Sequence, residues 1–239
     1  MTRVLLHRLS NGVFLLCFAL LAGASTFAAQ DTKPAQPPAS KPAQTHPDDQ
    51  DNAPLVHVLM KTSMGEIVLQ LNRQKAPISV KNFLSYTDKK FYDGTIFHRV
   101  MSNFMIQGGG FTPDMQKKPT DRPIQNEWQN GLKNVRGSIA MARLPRQPDS
   151  ATTQFFINVK DNPNLDRPSD GAAYAVFGKV VAGMDVVEAI RNMPTATKGR
   201  RANVPVEPVV IEMVSRLSDQ KARDRIDAEK KSAGGESSS

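Results

Sequence analysis

Cysteine is almost absent from this 239-residue chain, whose single cysteine is Cys17. Cys17 lies in an apolar run at residues 13–21, inside a leader that we predict to be cleaved. The mature chain can then form no disulfide and offers no thiol nucleophile. Long apolar runs are lacking too, because this run falls far short of the ~20 residues that a membrane-spanning helix needs. We therefore expect no stable membrane anchor.

Histidine is also scarce, and the three that follow the leader lie too far apart for a zinc site of ordinary spacing: His46, His57 and His98. The glycines at 108–110 lack the following Lys and Ser/Thr of a phosphate-binding loop, so we interpret them as a tight bend. A serine hydrolase using Ser150, His98 and Asp93 is disfavoured, because no nucleophile-elbow glycines surround the serine. The sequence thus argues against zinc, P-loop and common hydrolase chemistry.

Acidic residues are outnumbered by basic ones, 23 to 31, which gives a net charge of +8. Loss of the leader removes Arg3 and Arg8 and no acid, and leaves +6. The Lys and Arg residues are spread along the chain and interleaved with acids. No electrostatic footprint for nucleic acid stands out, and we expect no nucleic-acid partner.

Both ends of the chain have compositions unlike that of a folded core. Basic residues precede the apolar run and small residues follow it, which predicts a signal peptide over residues 1–28 and an exported protein. Cleavage after Ala24 is the second choice. Residues 29–54 are rich in proline and poor in large apolar side chains, so we predict a disordered linker. Residues 218–239 are charge-rich and end in Gly and Ser, and we interpret them as a charged, disordered tail.

Residues 55–217 have the length of one domain with one core. Alternating residues at 56–61 and 66–71 predict a β-hairpin, and helical patterns begin at Pro77 and Met184. Further short β-like runs, with a basic loop at 198–201 before the last, occupy residues 96–100, 104–107, 138–142, 155–159, 174–180 and 206–214. Seven or eight short strands with two helices favour an antiparallel barrel or a sandwich, and periodicity alone does not choose between them.

Two stretches carry the residues with the clearest chemistry. In residues 97–110 a strand with Arg99 turns and returns as a second strand, which brings charge and apolar surface together. In residues 153–159 the period of two puts Gln154 and Phe156 on one face. The same alternation turns His98 away from Arg99, so we interpret His98 as a structural residue.

These stretches read FHRVMSNFMIQGG and SATTQFFINV, and with SIAMA and YAVFGKVVAGMDVV they resemble the signature segments of cyclophilin-type peptidyl-prolyl isomerases. The resemblance runs from Leu55 to Leu217 in the order and spacing of the family. With its leader, the chain is similar to the exported bacterial members, which implies a periplasmic location, with secretion as the second choice. Asn164 stands where animal members commonly have tryptophan, and Tyr174 stands where many members have histidine.

The resemblance implies a mainly β fold, a closed eight-stranded antiparallel barrel capped by two α-helices. It also implies cis/trans isomerisation of X-Pro bonds in unfolded or partly folded polypeptides, with no metal or other cofactor. By motif, Arg99 and Gln107 take the catalytic positions. The substrate-binding positions are Phe104, Met105, Ala142, Arg143, Gln154, Phe156, Leu165 and Tyr174.

Some expectations remain open at this level. A binding module or chaperone that uses the same groove with little turnover is the alternative function. A monomer is our default expectation. Because Asn164 replaces the family tryptophan that contacts the inhibitor cyclosporin, we expect only weak cyclosporin binding.

Overall fold

Eight antiparallel strands close into a barrel in the computed structural model, which describes residues 53–235 and the side chains of residues 53–232. Seven of them come first: β1 (Leu55–Thr62), β2 (Gly65–Asn72), β3 (Thr95–Met101), β4 (Met105–Gly108), β5 (Ser138–Met141), β6 (Phe155–Asn158) and β7 (Val176–Ala182). A separate hairpin follows, β8 (Thr195–Lys198) and β9 (Arg201–Pro205), and then the eighth barrel strand, β10 (Val210–Leu217). The order around the barrel is β1-β10-β3-β4-β6-β5-β7-β2, so the expected barrel is confirmed. The predicted signal peptide and residues 29–52 of the predicted linker lie outside the described residues.

Two helices bury side chains in the barrel core, and they are α1 (Pro77–Asp88) and α2 (Met184–Arg191). The Phe83 ring of α1 stacks 4.8 Å from Tyr92 and meets Phe155 edge-on at 5.7 Å. Val187 and Ile190 of α2 are fully buried in the same core. Both helices were predicted from their apolar spacing. None of the helices in the described residues is long and apolar enough to cross a membrane.

The first turn of α1 is capped by a residue far away in sequence. The helix has no side-chain cap of its own and no acid in its first turn. Instead, the Glu127 carboxylate accepts hydrogen bonds from the backbone N–H groups of Ile78 and Ser79, at 2.9 and 2.8 Å, and from the Ser79 hydroxyl at 2.7 Å. A carboxylate there satisfies free N–H groups and opposes the positive end of the helix dipole. Glu127 thus ties the long segment between β4 and β5 to α1.

A third helix, α3 (Asp219–Gly235), occupies most of the segment that we predicted as a disordered tail, so the structure corrects that prediction. Ala222 is fully buried against a patch on the outside of the barrel that includes Leu59 and Val68, and Ile226 packs beside it. The sequence pattern missed this helix because two apolar residues one turn apart make a very narrow stripe. The sequence indicates the docking surface for this helix in β1 and β2, where apolar residues at 58–60 and 67–69 lie on both the inner and the outer face of the strand.

Polar contacts complete the docking of α3 on the barrel. Asp219 lies 2.8 Å from Nδ1 of His57, and Arg225 pairs with Glu66 at 2.9 Å. Further along the helix, the Glu229 carboxylate accepts a 2.7 Å hydrogen bond from the backbone N–H of Gly183. Charged residues of the segment that we predicted to be disordered therefore attach α3 to the barrel.

The predicted basic loop at 198–201 is part of the β8–β9 hairpin. Its strands pair antiparallel, with Lys198 opposite Arg201, so that Gly199 and Arg200 form the turn. β9 packs against β3 of the barrel wall. The hairpin therefore stands beside the strand that carries Arg99.

Candidate active site

β3, β4 and β6 lie side by side in the barrel wall and carry the polar part of the predicted site. Arg99 of β3 is opposite Gln107 of β4, which is in turn opposite Phe156 of β6. Directly opposed residues have Cβ atoms about 4.5–5.5 Å apart. The fold therefore places a guanidinium, a carboxamide and a phenyl ring in one row.

Hydrogen bonds connect the polar side chains of this row. Arg99 donates from Nη1 to Oε1 of Gln107 at 3.5 Å, and Gln107 donates from Nε2 to Oε1 of Gln154 at 3.0 Å. Within residues 53–232, Arg99 forms no ion pair with a carboxylate. Its guanidinium is held by one carboxamide and keeps further N–H groups for a ligand.

The polar row opens on a cavity of about 740 Å³. Five of the predicted site residues line it: Arg99, Gln107, Ala142, Arg143 and Gln154. Several other lining residues were not predicted as site residues, among them His98, Phe111, Lys117, Arg200 and Arg201.

An apolar cluster distinct from the barrel core holds the remaining predicted site residues. Met105 and Phe156 are buried in it. Partly buried side chains pack around them, including Phe104, Ala142, Leu165 and Tyr174. The rings of Phe156 and Tyr174 meet edge to face at 5.6 Å and 79°. Because Ala142 belongs both to this cluster and to the cavity lining, the apolar cluster adjoins the polar cavity.

The side chain of Arg143 is occupied within the protein. It is 1% exposed, pairs with the Asp170 carboxylate, and donates to the Ala172 carbonyl at 2.6 Å. The guanidinium also lies 4.7 Å from the centre of the Tyr174 ring. The hydrogen bond from Arg143 lowers the pKa of Asp170 to about 2, so the pair stays charged at neutral pH. These contacts pin residues 170–174 to the cavity wall and leave only the backbone of Arg143 for the predicted peptide contact.

A buried network of three asparagines supports the apolar cluster, and the sequence analysis did not single it out. Asn162 donates from Nδ2 to Oδ1 of Asn158 at 2.7 Å and to the Phe104 carbonyl at 2.8 Å. Asn158 donates to Asn134 at 3.1 Å, and Asn134 donates to the Tyr174 carbonyl at 3.3 Å. A satisfied buried network is rigid, so it fixes the backbone at two residues of the cluster. In the sequence, the network is indicated by Asn158 at the end of β6, because asparagine is disfavoured in strands.

His98 lines the cavity together with Arg99, which corrects the prediction that the two face opposite sides. The register of β3 against β4 shifts between Phe97 and Arg99, so His98 is the extra residue of a β-bulge. A bulge interrupts the period of two on which the prediction depended. The His98 ring then packs on Phe111, with ring centres 4.6 Å apart.

Burial, and next the charge of Arg201, lower the pKa of His98 from 6.5 to about 4. Between these two values the unfolded chain holds a proton that the folded protein lacks, so stability falls as the pH is lowered through this window. We expect a drop from pH 7 to about pH 4.5 to cost the wild type ~2–3 kcal/mol more than it costs a His98→Gln variant. Urea unfolding of both proteins at both pH values measures this, and equal losses would contradict it.

Known proteins are similar to this chain along the barrel domain. Residues 57–216 match the family described as cyclophilin type peptidyl-prolyl cis-trans isomerase. A peptidyl-prolyl cis-trans isomerase of Acinetobacter baylyi is 59% identical over 154 residues, which are 64% of this chain and 81% of that protein. Peptidyl-prolyl cis-trans isomerase B of Escherichia coli is 52% identical over 161 residues, which are 66% of this chain and 98% of that protein.

Solved structures give the same result. A cyclophilin type peptidyl-prolyl cis-trans isomerase of Cryptosporidium parvum superposes with a TM-score of 0.57 at 25% identity, covering 69% of this chain and 99% of that one. A second crystal structure, of the same protein in the presence of the dipeptide Ala-Pro, has a TM-score of 0.56 and covers 68% and 99% of the two chains.

Proposed function

Since the chain belongs to the cyclophilin-type family and is a peptidyl-prolyl cis-trans isomerase, we propose that Arg99 is its catalytic residue and that its substrates are exported proteins in the periplasm. The observation that supports the first part is the position of Arg99. Its guanidinium forms no ion pair in the described part of the chain, and the cavity that it lines adjoins the apolar cluster at Ala142.

The reaction needs rotation about a bond rather than cleavage of one. Amide resonance opposes that rotation with a barrier of ~18–20 kcal/mol. In the twisted transition state the proline nitrogen becomes pyramidal and regains its lone pair, which can then accept a hydrogen bond. Arg99 donates to this nitrogen more strongly in the transition state than in the planar ground state, and such a difference accelerates the reaction.

The neighbouring residues hold the two sides of the rotating bond. The proline ring enters the apolar cluster around Met105 and Phe156, where it is held still. Gln107 holds the Arg99 guanidinium and, with the Ala142 and Arg143 backbone, binds the flanking peptide. The Ala142 N–H itself already donates to the Gln154 carbonyl at 2.9 Å, so its carbonyl is the group left for the peptide.

Export is supported by the leader alone, with its basic start, nine-residue apolar run and small-residue end. Fractionation of expressing cells tests this part. Recovery of a chain shortened by residues 1–28 in the periplasmic fraction supports it, and an unprocessed chain in the cytoplasm contradicts it.

Two-dimensional exchange NMR on an Ala-Pro peptide in large excess over the protein distinguishes an isomerase from a module that only binds proline segments. An isomerase raises the exchange rate between the two isomers at catalytic concentration. A module that only holds proline segments shifts or broadens the resonances without raising that rate, and this outcome would overturn the proposed function.

Asn164→Trp is expected to raise cyclosporin affinity about tenfold or more. Asn164 is exposed in a short 3₁₀ helix, Pro163–Asp166, beside Leu165 of the apolar cluster. A tryptophan there adds apolar area worth ~2 kcal/mol and an N–H donor at the rim of the pocket. Turnover of a small Ala-Pro peptide should change only a few-fold, because the small substrate does not reach this rim.

The measurement is the inhibition constant of cyclosporin for the wild type, Asn164→Trp and a control, Asn164→Ala. The control removes the carboxamide without adding a ring, and no gain is expected from it. Tight inhibition of the unmodified protein, or equal gains from both variants, would show that this residue does not govern sensitivity.

A further inference from the structure

One wall of the 740 Å³ cavity is strongly basic. Its lining includes five cationic side chains and one carboxylate, and these are Arg99, Lys117, Arg143, Arg200, Arg201 and Asp121. The carboxylate is already engaged, since Asp121 lies 2.6 Å from Nζ of Lys89. Arg143 is engaged as well, with Asp170. In the described residues, the other four cations form no ion pair, so the cavity presents uncompensated positive charge.

Part of this charge is held in place by packing. The Arg201 guanidinium carbon lies 4.2 Å from the centre of the Phe111 ring. The other neighbour of that ring is His98, at 4.6 Å between ring centres. A guanidinium stacked on a buried aromatic ring loses less freedom on binding a ligand than a free one does. Arg200 lies in the hairpin turn itself and is exposed at the cavity rim.

The hairpin also sets where this charge acts. β9 packs against β3, the strand that carries Arg99. Arg200 and Arg201 therefore line the same cavity as the polar row. A peptide whose proline sits in the apolar cluster must run its flanking residues into this cavity, because Ala142 borders both. Side chains near the proline therefore meet the basic wall.

We propose that the basic wall formed by Lys117, Arg200 and Arg201 makes this isomerase selective for X-Pro segments that carry acidic side chains within a few residues of the proline. The selectivity rests on the proposed function, since it concerns the same groove. Burial lowers the pKa of His98 most, and the charges of Arg201 and Arg99 lower it further, as expected beside a positively charged wall. A lysine near the proline meets repulsion at the wall, whereas a glutamate is attracted.

The experiment compares matched peptides that share one Ala-Pro bond and differ in the flanking residues, which are Glu, Gln or Lys. Two series place the flanking residues before or after the proline. Exchange NMR gives kcat/KM for each peptide. At about 0.01 M ionic strength we expect the Glu peptide of one series to exceed its Lys counterpart about tenfold. At about 1 M, where the Debye length is ~3 Å, the ratio should approach one.

Variants assign the preference to the wall. Arg200→Glu is on an exposed turn, and we expect it to lower the Glu/Lys ratio several-fold or invert it. Arg201→Gln should lower the ratio and Arg201→Lys should retain most of it. Arg223→Glu, an equal charge change on α3 outside the cavity lining, is the matched control and should leave the ratio unchanged.

The outcomes are distinct. Equal kcat/KM for the Glu, Gln and Lys peptides overturns the selectivity and leaves the isomerase intact. A preference that Arg223→Glu weakens as much as Arg200→Glu also overturns it, because net charge would then suffice. Absence of exchange with every peptide, including the neutral one, counts against the proposed function itself.

Discussion

Replacing Arg99 by alanine is expected to lower kcat/KM for a neutral Ala-Pro peptide by about 10²-fold or more. The reason is that the Arg99 guanidinium is the donor proposed to act on the proline nitrogen, and it lies in the polar row beside the apolar cluster. Stability should hardly change, because Arg99 is only partly buried and its one side-chain hydrogen bond, to Gln107, is long at 3.5 Å.

Exchange NMR gives the rate, and thermal unfolding gives the stability of the same samples. Arg99→Lys keeps the charge without the planar fork of donors, so we expect it to recover only part of the rate. Arg223→Ala, on the exposed surface of α3, is the control for loss of one positive charge. Turnover within a few-fold of wild type in a folded Arg99→Ala protein would remove Arg99 from the mechanism.

Arg143→Met is expected to lower stability by about 1–3 kcal/mol, because it removes a buried guanidinium and leaves the buried Ala172 carbonyl without its donor. Asp170, in contrast, is partly exposed and keeps its hydrogen bond from the Arg146 N–H. The lost contacts are those to Asp170, the Ala172 carbonyl and the Tyr174 ring. For a domain of this length, each kcal/mol corresponds to about 2–4 °C in Tm. We expect KM to rise more than kcat falls, because Tyr174 borders the proline pocket and Arg99 keeps its place.

The matched control is Arg136→Met, since Arg136 pairs with Glu188 at 2.7 Å and is half exposed. Loss of an exposed pair costs no more than about 1 kcal/mol. Thermal and urea unfolding of both variants, with peptide kinetics, measure the difference. Equal destabilisation by the two substitutions, or a fall in kcat alone for Arg143→Met, would contradict the positioning role of Arg143.

The strands of the barrel and its two helices could be predicted because their apolar residues recur at the periods of strand and helix, whereas the β8–β9 hairpin was predicted only as a basic loop. Phe83 in α1 and Phe155 in β6 are examples, and both are fully buried. The choice of a barrel over a sandwich did not follow from periodicity and came from the family resemblance. Closure depends on the pairing of β1 with β10, a contact between distant strands that no local pattern specifies.

The features that were missed have other physical causes. The β-bulge at His98 adds one residue to β3, so the His98 side chain lies on the same side of the strand as Arg99. No local pattern in the sequence indicates this bulge. α3 docks through ion pairs and one small residue, Ala222, which a hydrophobicity pattern does not detect. The engagement of Arg143 by Asp170 joins residues in separate loops, so neither the sequence pattern nor the family motif indicated that this side chain is occupied within the protein. The predicted roles of the site residues stay predictions until the variants are measured.

The pairing of the first and last barrel strands has a consequence for folding. β10 lies between β1 and β3, and it pairs along the length of β1, from His57 opposite Leu217 to Thr62 opposite Ile211. Until residues 210–217 are in place, the barrel is an open sheet whose edges are β1 and β3. Open edges present unpaired N–H and C=O groups that can pair with another chain. Because closure joins segments that are distant in the chain, its loop-closure entropy has to be overcome before the edges are covered, and we expect a chain cut before β10 to aggregate rather than fold to a smaller barrel.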